Sequence, residues 1–500
     1  MPRPHLLLLL GVAACTHGAA RAPQPAPASA APAPATAFSN PAAVKLPSFP
    51  DRTCPVAAGA DTEAINAAIA SCSQQGGGTV SFAPGTYTVG SIHLASHVKL
   101  ALNGATLRGT GKTDDPEPYL TPIACQDEGH RHFRNALIWG ERVTNVAVVG
   151  PGTIDGGGLD SNMQKQIALR YSTVMLFENF TQVDTGHFAY LLTDCQDITM
   201  SRLTMHPRRD GVDLMQCSNV NAHDLTITGG GDDAFALKSD CTSGKQVTSD
   251  NITVRDSTFG SGCNALQIGS ETWGDFQNVT WSNIKVVKGN KSGIGIQTND
   301  GAVIRNMLFE NISMTGTSFP IFMGTTHLLR GPTKVPGHAE NIVFRNVTAD
   351  GLVQGNNKSP QETAIVVTAD AAHPHTGIVF DHVQVNFPGG GRPGGDPPEA
   401  PALTKGPEYN PRFITPIPAW GLFLRHARGV QLRAVKLTLG VEDERPAVIA
   451  RDIEGLVFEG LHAQKGTGAT LALDGVKGLA IKASPPLPDT ALPAVEQKTF

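Results

Sequence analysis

The sequence predicts an all-β solenoid of stacked parallel coils, one coil per repeat. Three observations carry that reading. The first is a recurring pattern: a polar or small residue, an aliphatic, one further residue, a second aliphatic, then another short strand. Copies begin at Asn145-Val146, Asp197-Ile198, Asn219-Val220, Asn251-Ile252, Asn278-Val279 and Asn341-Ile342, and later at Gly377-Ile378, Gly429-Val430, Gly455-Leu456 and Gly478-Leu479. The second is that spacing varies, from 22 residues (Ile198 to Val220) to 52 (Ile378 to Val430), while the strands persist. Solenoids behave this way, because strands stack a core and turns absorb insertions. The third is composition: 40% apolar, 54 glycines and 17% charged residues suit a turn-rich β protein. Five hundred residues alone would suggest about three domains. The unbroken repeat replaces that with one domain over 40–485 and a tail at 486–500. A net charge of −5 offers no attraction for nucleic acid or an anionic membrane.

The elements follow in chain order. Arg3, the apolar run Leu6–Leu10 and Val12-Ala13-Ala14-Cys15 form a targeting segment too short to span a bilayer. Its end resembles a bacterial lipobox, with Cys15 as the lipidated residue; ordinary secretion with cleavage near Ala19 or Ala20 is the alternative. Residues 16–39 are an Ala/Pro tether. Asp61 or Thr62 caps a helix whose apolar face is Ile65, Ala68 and Ile69, and which plugs the open end of the stack. Several repeats read Asn-x-Thr/Ser, the glycosylation pattern, but an Asn that opens each strand can instead form an amide ladder. Residues 388–419 are Pro/Gly-rich and read as a surface loop, because strands resume at Trp420. Export implies an oxidising compartment. Apart from Cys15 there are seven cysteines, so at least one is free. Cys54 with Cys72 is the best pair, Cys241 with Cys263 is plausible, and Cys195 with Cys217 has a one-coil spacing. No CxxC pair supports structural zinc, and no metal or cofactor is expected.

The densest chemistry is Gly229-Gly230-Gly231-Asp232-Asp233, with Asp210 twenty-two residues before Asp232. That gap is about one repeat, so Asp210 is expected one rung, about 4.8 Å, from the pair. On a straight strand one of two adjacent aspartates would point into the core; the glycines permit a bend that turns both outward. A plain turn, with one aspartate bonding backbone amides, is the simpler alternative. Three crowded carboxylates cannot all ionise easily. One keeps a proton and can protonate a leaving oxygen, while another activates water.

Gly76-Gly77-Gly78-Thr79-Val80, Pro84-Gly85-Thr86-Tyr87, Gly152-Thr153-Ile154-Asp155-Gly156 and Gly231-Asp232-Asp233 resemble glycoside hydrolase family 28, the polygalacturonase group, as a divergent member. The resemblance implies a right-handed parallel β-helix, the pectin-lyase-like solenoid. It also implies inversion at the anomeric carbon, with Asp232 as acid and Asp210 and Asp233 holding the water. The family's Asn-Thr-Asp falls on Arg208-Arg209-Asp210. Its Gly-His-Gly falls on Cys263-Asn264-Ala265, which lacks the histidine. Its Arg-Ile-Lys falls on Gly295-Ile296-Gln297, which lacks both cations associated with a uronate carboxylate. Candidate substrate contacts are Arg209, Lys238, Asn264, Glu271, Trp273, Gln297 and Asp300, with Arg208 and Asp275 nearby. Lys238, Arg208 and Arg209 have a blander reading as solvated side chains and Trp273 as turn packing, while Asn264, Gln297 and Asp300 offer hydrogen bonds. His206 reads as a turn residue, and His187, His223 and His327 receive no role.

The leading expectation is an exported, monomeric, inverting hydrolase of pectic-type polysaccharide, rhamnogalacturonan or a substituted or neutral glycan, touching a membrane only through Cys15. A polysaccharide lyase or epimerase on the same fold is the second, kept open by Lys238 and Arg209. A non-catalytic carbohydrate-binding surface protein is the third; retention of all three aspartates argues against it.

Overall fold

The periodic aliphatics build a parallel β-helix with three strands per coil. The computed structural model describes residues 37–114, 125, 127–332, 334–353, 363–394 and 417–500. Cys15 and residues 395–416 of the Pro/Gly-rich stretch lie outside the described residues. One coil runs through strands Phe188–Thr193, Gln196–Ser201 and Thr204–His206. The next runs through Asp210–Met215, Ser218–His223 and Thr226–Gly230. Equivalent strands pair in parallel and form three stacked sheets. In the first sheet Ile167, Tyr190, Val212 and Phe235 lie in register and point inward. In the second, Ile198, Val220, Ile252, Val279, Met307 and Ile342 do the same. Trp281, Phe309, Phe344 and Phe380 stack ring on ring through the interior, with centroids 5.2–6.2 Å apart.

The asparagines mark the corner into the second sheet. Asn219, Asn251, Asn278, Asn306 and Asn341 all have φ between 53° and 57°, a left-handed backbone that Asn tolerates better than most residues. Their amides form a ladder: Asn251 donates to Asn219 at 3.0 Å, Asn306 to Asn278 at 2.9 Å and Asn341 to Asn306 at 2.9 Å. Gly377, Gly429, Gly455 and Gly478 continue the corner with φ of 65–75°. The switch from Asn to Gly in the later repeats thus preserves one backbone conformation.

Both ends are closed. Helix Thr62–Gln74 is capped by Asp61, which accepts from Ala64 N at 2.9 Å, and it buries Ile65, Ile69 and Cys72. Cys54–Cys72 fastens it. At the other end Thr490–Thr499 forms an antiparallel strand on Leu471–Lys482. The expected tail at 486–500 is therefore largely a strand, which covers the last open edge. The tether boundary also moves. Phe38 to Ser48 lies across the second sheet and bonds the corner column: Asn40 N donates to Asn251, Lys45 N to Asp197 and Ser48 N to Asn145.

The second disulfide differs from expectation. Cys241 pairs with Cys125, and Cys263, Cys195 and Cys217 are free and buried. Cys241 follows strand Phe235–Ser239, whereas Cys263 precedes strand Asn264–Thr272, so they sit at opposite ends of neighbouring strands. About five residues of strand, roughly 16 Å, separates those ends, far beyond disulfide reach. The Cys195 and Cys217 thiols instead donate to main-chain carbonyls at 3.2–3.6 Å.

Candidate active site

Strand register in the first sheet places the functional side chains. Val212 faces Phe235, and Phe235 faces Leu266. Two positions back along each strand, Asp210, Asp233 and Asn264 therefore occupy successive rungs. Main-chain bonds agree: Gly211 N donates to Asp233 O, and Ala234 N to Asn264 O. So Asp233, rather than Asp232, is the in-register neighbour of Asp210. Asp232 sits in the preceding turn. There the register shifts between Ile227 and Gly230, and Gly229 has φ 93°. Asp232 N donates to Arg209 O, and Ser261 Oγ bonds Asp232 O. The bulge brings both aspartates to one cleft, lined also by Arg209, Lys238, His187, Gln267, Glu271 and Lys291.

The three carboxylates have different environments. Asp233 is buried, and its Oδ1 accepts from Asn264 N at 3.1 Å and Asn264 Nδ2 at 2.8 Å. Burial, reinforced by Asp232, raises its pKa to about 6 against the pull of Lys238 and Lys291. Asp210 is more extreme. Burial first, then Asp232 and Asp213, hold it well above the usual carboxylate range, and Oδ2 has no hydrogen-bond partner among the described residues. His187 Nδ1 bonds the Asn162 carbonyl, which leaves Nε2 as a lone pair 3.7 Å from Asp210 Oδ2. Burial, then Arg209, lowers the His187 pKa to about 4, so this imidazole is neutral. Two facing lone pairs favour a proton on Asp210. Asp232 behaves in the opposite way. Burial works to raise its pKa, but Lys291, Lys238 and Arg209, the last at 3.0 Å, bring it below the ordinary value.

Lys238 is buried between Asp213 at 2.7 Å and Asp210 at 3.8 Å. Burial opposes its charge, yet Asp213 and Asp210 outweigh that and keep it protonated. Asp213 also faces His130 at 3.7 Å, and His130 bonds Asp240 at 2.8 Å. His130 lies in the segment Asp127–Phe133, beside Cys125 and its bond to Cys241. That segment covers the outer face of the first sheet, where Phe133, Ala168, Leu191 and Met215 cluster.

The other expected contacts divide. Arg209, Lys238, Glu271 and Gln297 line the cleft. Asn264 lines it too, but its amide is spent on Asp233 and Ser292. Glu271 accepts from Ser270 Oγ at 2.7 Å and Arg330 at 2.9 Å. Burial would raise its pKa, but Arg330 and Lys238 keep it ionised. Asp300 is not among the cleft residues: Arg330 and Thr272 N take both its oxygens. Trp273 is not a sugar platform either, since it is buried against Gly331, where an added Cβ would clash with the ring. Arg208 turns to Asp184 at 3.3 Å, and Asp275 to Arg305 at 3.2 Å. His206 is exposed, while His223 and His327 pair with Asp224 and Asp370 outside the cleft.

A sequence match to the glycosyl hydrolases family 28 spans residues 72–394. The chain belongs to glycosyl hydrolase family 28. It is 26% identical over 337 residues to an endo-polygalacturonase of Pectobacterium carotovorum subsp. carotovorum, which covers 60% of this chain and 81% of that protein. Its fold is similar to the exopolygalacturonase of Yersinia enterocolitica, with TM-score 0.61 and 15% identity over 81% of this chain and 78% of the other. It is also similar in fold to the polygalacturonase of Erwinia carotovora ssp. carotovora, with TM-score 0.55 and 22% identity over 68% of this chain and 95% of the other. The protein is thus a polygalacturonase-like glycoside hydrolase that acts on O-glycosyl bonds.

Gly295 and Gln297, the positions where the resemblance implies cations, carry no charge, and Arg209, Lys238, Lys291 and the protonated His130 bring positive charge to the cleft. Lys291 was legible only through register, one place before Ser292, which pairs with Asn264. Burial opposes its charge, but Cys263, Asp233 and Asp232 keep it protonated. Asp127, His130 and His187 arrive from earlier coils. The Cys125–Cys241 bond, found only in the structure, ties down the segment that carries the first two.

Proposed function

We propose that this chain is an exported inverting hydrolase of pectic-type polysaccharide that prefers a neutral or substituted residue at the cleavage site. The carrying observation is the split among three carboxylates in one cleft: Asp232 held below the ordinary carboxylate value by its cations, Asp233 raised to about 6 and Asp210 held well above the usual range by burial. The resemblance makes Asp232 the acid, yet in the free protein its cations strip it of a proton. We reconcile the two by a shared proton. A sugar entering the cleft draws Arg209 from Asp232 and expels water. The proton then passes from Asp233 to Asp232. That one transfer leaves Asp232 as the acid for the leaving oxygen and Asp233 as the carboxylate that accepts a proton from water, with Asp210 beside it.

A lyase needs an uncharged amine or similar base near a uronate α-proton. Lys238 and Lys291 are both held protonated, which disfavours that chemistry. The leader with Cys15 and the two disulfides support export, lipid-anchored or secreted. The test is reducing-end release from homogalacturonan, rhamnogalacturonan and neutral glycans, with the first-formed anomer read by NMR. The expected result is inversion and slow cleavage of smooth homogalacturonan. Retention, or product absorbance from a new double bond, would overturn the mechanism; fast cleavage of unsubstituted homogalacturonan would overturn the preference.

A further inference from the structure

Gln267 is in register with Ala236 on one side and Gly295 on the other. It lines the cleft and is 2% exposed, and its Oε1 has no hydrogen-bond partner among the described residues. An idle buried amide oxygen in a cleft floor requires a reason. Gly295 supplies the spatial one. A Cβ built at 295 would overlap Gln267 Oε1 and come within 2.9 Å of Ser292 Oγ. The amide therefore occupies the volume that a side chain at 295 would need. In this chain the Gln267 amide and a side chain at 295 exclude one another.

We infer that Gln267 is a specificity-determining residue whose amide, seated over Gly295, binds a hydroxyl of a neutral sugar at the cleavage position. The inference rests on the preference proposed above. The chemistry favours a hydroxyl. An amide presents an acceptor and two donors, and a hydroxyl can answer either. Rotation of the terminal amide bond exchanges its oxygen and nitrogen, so one side chain serves either polarity. An ionised carboxylate only accepts, so it could use only the donor side of the amide, and it would share the cleft with the ionised Glu271. A further consequence is steric coupling: Gly295→Arg alone cannot install the cation, because the new side chain must displace Gln267.

The experiment compares the parent with Gln267→Met, Gly295→Arg and the double variant Gln267→Ser/Gly295→Arg. Each is assayed for kcat/KM on homogalacturonan, rhamnogalacturonan and neutral glycans, with a thermal melt as the folding control. Gln267→Met keeps the volume and removes the polar groups. It is expected to lose 10-fold or more in kcat/KM on the parent's preferred substrate, largely through KM, with an unchanged pH profile. Gly295→Arg is expected to lose activity on every substrate. The double variant is expected to shift the ratio toward homogalacturonan by 10-fold or more relative to the parent. A parent that prefers homogalacturonan, or cleaves no substrate with a neutral cleavage-site residue, overturns the preference and this inference with it. A parent that shows the preference while Gln267→Met leaves the ratio intact overturns this inference alone. Gln267→Met decides if the double variant does not fold.

Discussion

Two acidic clusters sit a few rungs apart on the same sheet, and they are built to opposite ends. In one, Glu271 and Asp300 share Arg330, whose guanidinium also reaches the Ser270 carbonyl at 2.8 Å. Both oxygens of Asp300 are bonded, and one also takes Thr272 N at 3.0 Å. In the other, Asp210, Asp232 and Asp233 crowd around Lys238, and Asp210 Oδ2 has no hydrogen-bond partner among the described residues. In the first cluster each carboxylate is bonded to the Arg330 guanidinium. The second cannot place all its charges and so holds a proton loosely enough to give it away. Residue type alone does not tell them apart; the partner count does.

The comparison breaks most sharply by substitution. Asp232→Asn, Asp233→Asn and Asp210→Asn should each cut turnover by about 10²-fold or more while the fold persists, measured as reducing-end release beside circular dichroism. Near-normal turnover in all three would remove the chemistry from this cluster. The satisfied cluster should answer with stability instead. Arg330→Met strands two buried carboxylates and should cost about 3 kcal/mol or more in urea unfolding. An unchanged unfolding midpoint would mean that Glu271 and Asp300 find other partners.

A smaller effect sharpens the view of the shared proton. Asp233 must be protonated in the free protein for the transfer to occur, so activity should fall as pH rises through about 6. Lys291 lowers the pKa of both Asp232 and Asp233. Lys291→Met should therefore move the falling limb of kcat/KM toward higher pH. A shift to lower pH would reverse the assigned sign. The smallest effect is on stability. The pKa of Asp233 is raised by folding, so its contribution is full below the unfolded value, near 4, and is lost as pH rises through about 6. Asn keeps the acceptor for Asn264 and carries no charge. Asp233→Asn should therefore melt about 2–4 °C above the parent at pH 7, with the gap closing below pH 4.

The fold was legible because each repeat states it anew: Asn or Gly at the left-handed corner, then alternating aliphatics. The aspartates were legible because the glycine run and the repeat length point to one place; which member of the pair stands in register with Asp210, namely Asp233, emerges only from the strand pairing. What escaped depends on the third dimension. Asp300 looked like a ligand group until Arg330, thirty residues on, claimed it. Trp273 looked like a platform, but turn packing buries it. Spacing made Cys263 a plausible partner for Cys241, and only the opposite ends of their strands rule that pair out. Gln267 carried no signal, because its meaning depends on a glycine one coil away.

The strap from Phe38 to Ser48 has a consequence for the order of folding. Its bonds run Ser48 to Asn145, Lys45 to Asp197, Asn40 to Asn251 and Phe38 to Thr280. Moving backward along the strap means moving forward along the stack. The residues synthesised first therefore have partners that come into being one coil at a time, up to 242 positions later. The strap closes like a zipper drawn from its C-terminal end, each tooth set only when the next rung exists, and contacts so distant in sequence form slowly. A chain halted midway would expose an N-terminal strap with half its teeth open.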